Sequence, residues 1–182
     1  MSVRQSLLAI LDRGACYGSQ LRAEYERRTG ARVNVGQVYT TLERLERDGL
    51  VEGVGVDDEA RALWEPTAAG RAEARAWLAG ASLAEGRDEV ALKIALAVTL
   101  PGADVAGILS AQRAAVQAAL VAIDNPGAGA VAAAIVNAAR RQRLLADLRW
   151  LDEVEVLAAL AEPFELSEER PRRGRPARSC EP

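Results

Sequence analysis

The sequence predicts a mainly α chain carrying one small β wing, and three observations predict it. Apolar residues recur at helical spacing through most of the chain, the period switches to that of strands only just after residue 50, and the second half is built of long alanine-rich helical segments. A chain of 182 residues, 49% hydrophobic and 27% charged, has enough apolar surface for one sizeable core or two small ones. No apolar run is expected to approach the roughly 18 to 20 residues of a membrane span. The start, Met-Ser-Val-Arg-Gln-Ser, lacks the apolar run of a secretory signal, so a soluble, cytoplasmic protein without a membrane partner is expected.

Val3, Leu7, Leu8, Ile10 and Leu11 give the first helix its stripe, and Gly14 stops it. A second helix begins near Ser19, places Leu21 and Tyr25 on one face and ends at Thr29-Gly30. Asn34 offers an N-cap to the third, with Gln37 completing a box-like pair; Val35, Val38, Tyr39, Leu42 and Leu45 trace its apolar stripe as far as Asp48-Gly49. Residues 50–56 then read as a strand, 57–60 as an acidic turn and 61–65 as a returning strand. Thr67 caps a fourth helix containing Gly70, Ala74, Trp77 and Leu78, although an interior glycine costs about 1 kcal/mol. Helix, helix, helix, hairpin, helix within about 80 residues is the order of a winged helix-turn-helix.

Three further helical segments follow, over 88–100, 103–123 and 130 to about 160, separated by Pro101-Gly102 and Asn125-Pro126-Gly127. In the last of them Leu144, Leu145, Leu148, Leu151, Val154 and Leu157, with Ile135, form a stripe that a compact monomer of this size would not cover, so a partner subunit is expected on it. The expected organisation is a winged helix-turn-helix DNA-binding domain over 1–79, a helical dimerisation domain over 80–162 and a disordered Arg/Pro-rich tail over 163–182.

Function classes narrow quickly. Without a histidine the chain lacks the commonest general base and transition-metal ligand, and the nucleophile-elbow, P-loop and dinucleotide-binding glycine patterns are absent. An enzyme is not expected, nor a cofactor or metal. Cys16 and Cys180 are read as free thiols. Net charge is −3, an unhelpful sign for a nucleic-acid binder, so DNA attraction must come from arginines gathered on one face.

The third helix is expected to supply that face. Gln37, Thr40, Thr41 and Arg44 lie opposite the Val38/Leu42/Leu45 stripe; Gln suits adenine, Arg suits guanine, and Thr serves bases or phosphates. Tyr17 and Ser19 at the start of the second helix, Arg32 and Asn34 before the third, and Arg61 in the wing complete the expected contacts, chiefly to phosphate. Tyr17 reads equally well as a core aromatic, and Arg27 and Arg28 are expected to sit in water. The wing's Asp57, Asp58 and Glu59 would repel DNA. In the tail, Arg173-Gly174-Arg175-Pro176 looks like the core of a minor-groove AT-hook, though a solvated tail is the preferred reading. Trp64, Trp77 and Trp150 are read as core packing rather than as effector platforms.

The run Gly36-Gln37-Val38-Tyr39-Thr40-Thr41-Leu42-Glu43-Arg44-Leu45-Glu46-Arg47-Asp48-Gly49-Leu50-Val51-Glu52, preceded by Tyr17-Gly18, resembles the PadR family of bacterial transcriptional regulators. Arg61-Ala62-Leu63-Trp64 and Thr67-Ala68-Ala69-Gly70-Arg71 are similar to that family's wing and fourth helix, with Trp64 where Tyr is usual. Asp88-Glu89-Val90-Ala91-Leu92-Lys93, Gln112-Arg113 and Trp150-Leu151-Asp152-Glu153-Val154 resemble its longer members. The resemblance implies a homodimeric repressor whose two recognition helices enter double-stranded DNA about 34 Å apart on a palindromic operator. It also implies control by a small aromatic effector. The acidic wing tip departs from the family's more basic wings. The rival reading is a winged-helix protein-interaction module without DNA binding.

Overall fold

The computed structural model describes residues 2–81, 83, 87–123 and 131–168. Seven helices and one hairpin follow in the order α1 (Ser2–Leu11), α2 (Gly18–Thr29), α3 (Val35–Arg47), β1 (Val51–Val56), β2 (Ala62–Pro66), α4 (Ala68–Ala79), α5 (Arg87–Ala97), α6 (Val105–Ile123) and α7 (Val131–Ala158) among the described residues.

Local chemistry sets most of the early boundaries. Gly30 ends α2 in the left-handed conformation, φ 69°, and its N–H bonds to the Glu26 carbonyl. Asn34 caps α3 by accepting from the Gly36 N–H at 2.8 Å. Thr67 accepts from the Gly70 N–H at 3.2 Å, while its own hydroxyl donates to the Gly49 carbonyl at 2.8 Å, tying α4 to the turn after α3. The glycine inside α4 has a tertiary cause. A Cβ at Gly70 would stand 2.0 Å from the Leu50 carbonyl oxygen, so only glycine lets α4 lie this close to the chain entering β1.

The hairpin pairs β1 with β2 antiparallel, and the register slips by one residue between Gly53 and Gly55. Gly55, at φ +125°, takes up that irregularity. A third segment joins the sheet: Cys16 and Trp64 exchange backbone hydrogen bonds, both at 3.0 Å. The α1–α2 connection is thereby pinned to the wing, a contact without a local sequence signal. Cys16 is buried beneath it, and burial pushes its thiol up to about 12, which leaves it an unreactive packing group.

Leu7, Leu8, Ile10, Leu11, Leu21, Tyr25, Val38, Leu42 and Leu45 meet in one core, joined by Leu96 and Leu100 from α5 and the turn after it. Val90, Ile94 and Ala97 of the same helix form a second core with Ile108, Leu109 and Leu151. Thus α5 serves both cores, because apolar residues lie on more than one of its faces.

Four expectations are corrected here. Val35 and Tyr39 belong to no stripe: they are 41% and 46% exposed, since α3 buries only Val38, Leu42 and Leu45. Leu144 and Leu151 of α7 are buried within the chain, and Leu145, Leu148 and Val154 are half-buried; α5 and α6 pack where a partner was expected, and only Leu157 of those six is widely exposed. The α6 helix, 19 residues with a mean hydropathy of 1.4, does reach the length and composition of a membrane span. Its one charge, Arg113, is held by Asp152 at 2.6 Å and Glu155 at 3.0 Å on α7. Residues 163–168 are ordered against α2 rather than forming the start of a disordered tail, as the contacts below show. The AT-hook-like residues 173–176, Cys180 and the 125–127 turn lie outside the described residues.

Candidate nucleic-acid interface

α3 presents one wet face. Gln37, Tyr39, Thr40, Glu43, Arg44 and Arg47 are exposed, opposite the three buried aliphatic residues that hold the helix on the core. The periodicity of 3.6 makes this separation unavoidable once Val38, Leu42 and Leu45 are committed inward. Among the expected base readers, Gln37, Thr40 and Arg44 project into solvent. Thr41 is half-buried, and its hydroxyl donates back to the Gln37 carbonyl at 2.7 Å, which commits its one O–H donor within the helix.

Tyr39 was missed as a site residue because its ring counts as apolar in a periodicity argument. Its ring lies over the start of α2, where a Cβ on Gly18 would stand 2.6 Å from Cζ and 3.0 Å from the hydroxyl. Gly18 is thus the residue that allows α3's phenol to reach α2's first turn. The cue in sequence was the Tyr17-Gly18 pair, whose glycine had no other assignment. That first turn has Tyr17 at its N-cap with no side-chain hydrogen bond to its amides, and Ser19 beside it is half-buried. Free amides at a helix N-terminus favour an anion.

Arg32 and Asn34 are exposed between α2 and α3, and they line one surface hollow with Arg22, Glu26 and Val33. Asn34 spends its side-chain oxygen on the α3 cap. Arg22 leans toward Glu26 at 3.5 Å, which leaves Arg32 as the more available cation of that hollow.

Arg61 and Tyr17 do something other than touch phosphate. The Arg61 guanidinium stacks on the Tyr17 ring, 3.7 Å from its centroid, and bonds through Nε to Asp57 at 2.6 Å. It also pairs with Asp57 through Nη2 and lies 3.4 Å from Glu59. Tyr17 is only 6% exposed, the core-aromatic alternative. The phosphate role expected of Arg61 is corrected on this ground: its charge is already matched within the wing. Asp57 in turn organises the wing tip, accepting from the N–H groups of Glu59 at 3.0 Å and Arg61 at 2.9 Å. The Arg61 hydrogen bond, seconded by those amides, holds its carboxyl down to about 2. One of the three acidic groups at the tip is therefore a fold element.

A wet face on the second helix of a helix-turn-helix, a helix N-terminus beside it without a side-chain cap and a flanking hairpin define a winged helix-turn-helix fold. Residues 7–76 match the model of the Transcriptional regulator PadR-like family, so the winged-helix part of the chain is similar to that family. The crystal structure of Bacillus subtilis PadR in complex with operator DNA is similar at 15% identity and a TM-score of 0.43, over 87% of this chain and 99% of that one. No curated protein matches the chain.

Proposed function

We propose that the chain is a sequence-specific repressor that binds a palindromic operator as a homodimer, with α3 in the major groove. The observation that carries this reading is the division of α3 into a core-bound stripe and an exposed face of Gln37, Tyr39, Thr40, Arg44 and Arg47. Gln37, Thr40 and Arg44 would face bases. Ser19, Arg32, Arg47 and the Tyr39 hydroxyl would face phosphates, with the α2 amides. Domains spanning 1–79 and 80–162 remain our preferred division, with α5 as the shared element between them.

Dimerisation would use the apolar residues that the chain itself leaves wet. Val121, Val131, Ile135 and Val136 lie toward the joined ends of α6 and α7, and Val156, Leu157 and Leu160 lie at the other end of α7; each is more than 60% exposed. Release by a small aromatic effector fits a cavity of about 510 Å³ between α1, α4 and the α5–α6 turn, lined by Asp12, Arg13, Leu78, Leu100 and Pro101 among others. A ligand there would act on DNA affinity only by favouring one placement of the winged unit over another. A cytoplasmic location follows from this role.

Binding of the purified protein to its own upstream DNA and to an unrelated duplex of equal length, at two salt concentrations, tests the reading. Specific binding that weakens with salt is expected. Arg44→Ala should cost about 1–3 kcal/mol on the operator and leave folding unchanged. Binding to neither duplex at low salt would sink the proposal and favour the rival protein-interaction module, which the exposed Glu43, Glu46 and Glu52 would suit.

A further inference from the structure

The chain does not end its structural work at α7. Beyond Ala158 it turns back across α2, and residues 163–167 are gripped by three separate parts of the fold. The Phe164 N–H donates to the Thr99 carbonyl at 3.1 Å, just past α5. The Phe164 carbonyl accepts from Arg28 Nη2 at 3.0 Å, and its ring lies against both guanidinium groups, 4.0 Å from Arg27 and 4.6 Å from Arg28. Glu165 accepts from Arg13 at 3.0 Å through its side chain and from Arg27 at 2.8 Å through its carbonyl. Leu166 packs on the first core against Gly14, and the Ser167 N–H donates to Glu24 at 2.9 Å.

Arg28 is the centre of this grip, and its burial corrects the expectation that it sits in water. Its side chain and that of Glu24 are 0% and 2% exposed, and they are paired at 3.0 Å. The guanidinium also donates to the Thr99 carbonyl at 2.8 Å and hydroxyl at 3.3 Å. A buried pair of this kind is tolerable only while its remaining donors and acceptors are matched, and here Thr99, Phe164 and Ser167 match them. α2 belongs to the winged helix-turn-helix, Thr99 follows α5, and Phe164 is joined to α7 by a few residues. Moving any one of the three relative to the others breaks bonds to a buried charge.

We propose that residues 163–167 form a latch, with Arg28, Glu24 and Phe164 as positioning residues, that holds the winged helix-turn-helix at one angle to α5–α7. The latch exists without DNA. Its consequence, a fixed separation of the two reading heads in a dimer, rests on the function proposed above.

Two measurements on the full chain test the latch. Hydrogen exchange of the intact protein should show the Phe164 and Ser167 amides slowed on the order of tenfold or more against an unstructured chain. Exchange at unstructured rates would overturn the proposal. Spin labels at Glu46→Cys on α3 and Glu153→Cys on α7, in a Cys180→Ser background and diluted with unlabelled chains, should give one narrow distance distribution. Phe164→Ala with Leu166→Ala should broaden it while helix content is retained, and Phe164→Tyr should keep it narrow. An unchanged width in the double variant would overturn the latch, whereas a narrow-to-broad change in a protein that binds no DNA would uphold it and refute the repressor reading alone.

Discussion

The winged helix-turn-helix and the α5–α7 helices solve the same burial problem differently. In the first, each helix is short and turns its stripe toward a common centre, so Leu8, Leu21, Val38, Leu42 and Leu45 all reach zero exposure. In the second, α6 and α7 run for 19 and 28 residues, longer than a single chain's core can cover, and Val121, Val131, Ile135, Val136 and Leu160 are left in water. The contrast separates two kinds of apolar residue: those whose energy is collected on folding and those whose energy is available only on association.

Paired substitutions can break that comparison. Leu42→Ala should destabilise folding by about 2–5 kcal/mol, because the cavity left at a fully buried site relaxes poorly. Ile135→Ala, at 66% exposure, should leave thermal unfolding of the monomer almost unchanged while lowering the dimer fraction in analytical ultracentrifugation. If Ile135→Ala left the association constant untouched, the exposed apolar ends would not be the interface.

Gly70→Ala sharpens the same point from the other side. Helix propensity alone would reward alanine by roughly 1 kcal/mol. The 2.0 Å approach to the Leu50 carbonyl should reverse the sign, for a net loss of about 1–3 kcal/mol measured by chemical denaturation. A stabilised variant would mean that α4 can slide off β1 without cost.

The smallest expected effect is at the wing. Asp57, normally near 3.8, is held at about 2 when folded, so its contribution is fully present above the unfolded value. It should fade as pH falls from about 4 to about 2, and the Asp57 carboxyl resonance should titrate in the lower part of that window. A midpoint near 4 would mean that the Arg61 bond is not maintained in solution. Arg61→Ala should raise that midpoint toward the ordinary value and loosen the wing, with little effect on the stability of α5–α7.

Legibility followed the range of the interactions. Caps, glycine stops and the hairpin are written in residues within a few positions of one another, which is why Asn34, Thr67, Gly30 and the β1–β2 turn were readable directly. The exposed Gln37, Thr40 and Arg44 were readable for the same reason, since three inward residues on one helix decide which others face out. Tyr39 was not, because only its approach to Gly18, at the far end of the preceding helix, distinguishes a reaching phenol from a core ring. Arg61 was misjudged because a cation in a wing looks available until Asp57 and Tyr17 are seen around it.

The sequence by itself determined the order of the elements, the class of the winged unit and the outward face of α3, because each depends on periodicity and local capping. Tertiary structure alone decided that α5 belongs to both cores, that Leu144 and Leu151 are covered by their own chain, and that Arg28 is buried beneath residues 163–167. Those outcomes turn on which surfaces meet across tens to more than a hundred residues of chain. No window of sequence contains both partners of such a contact.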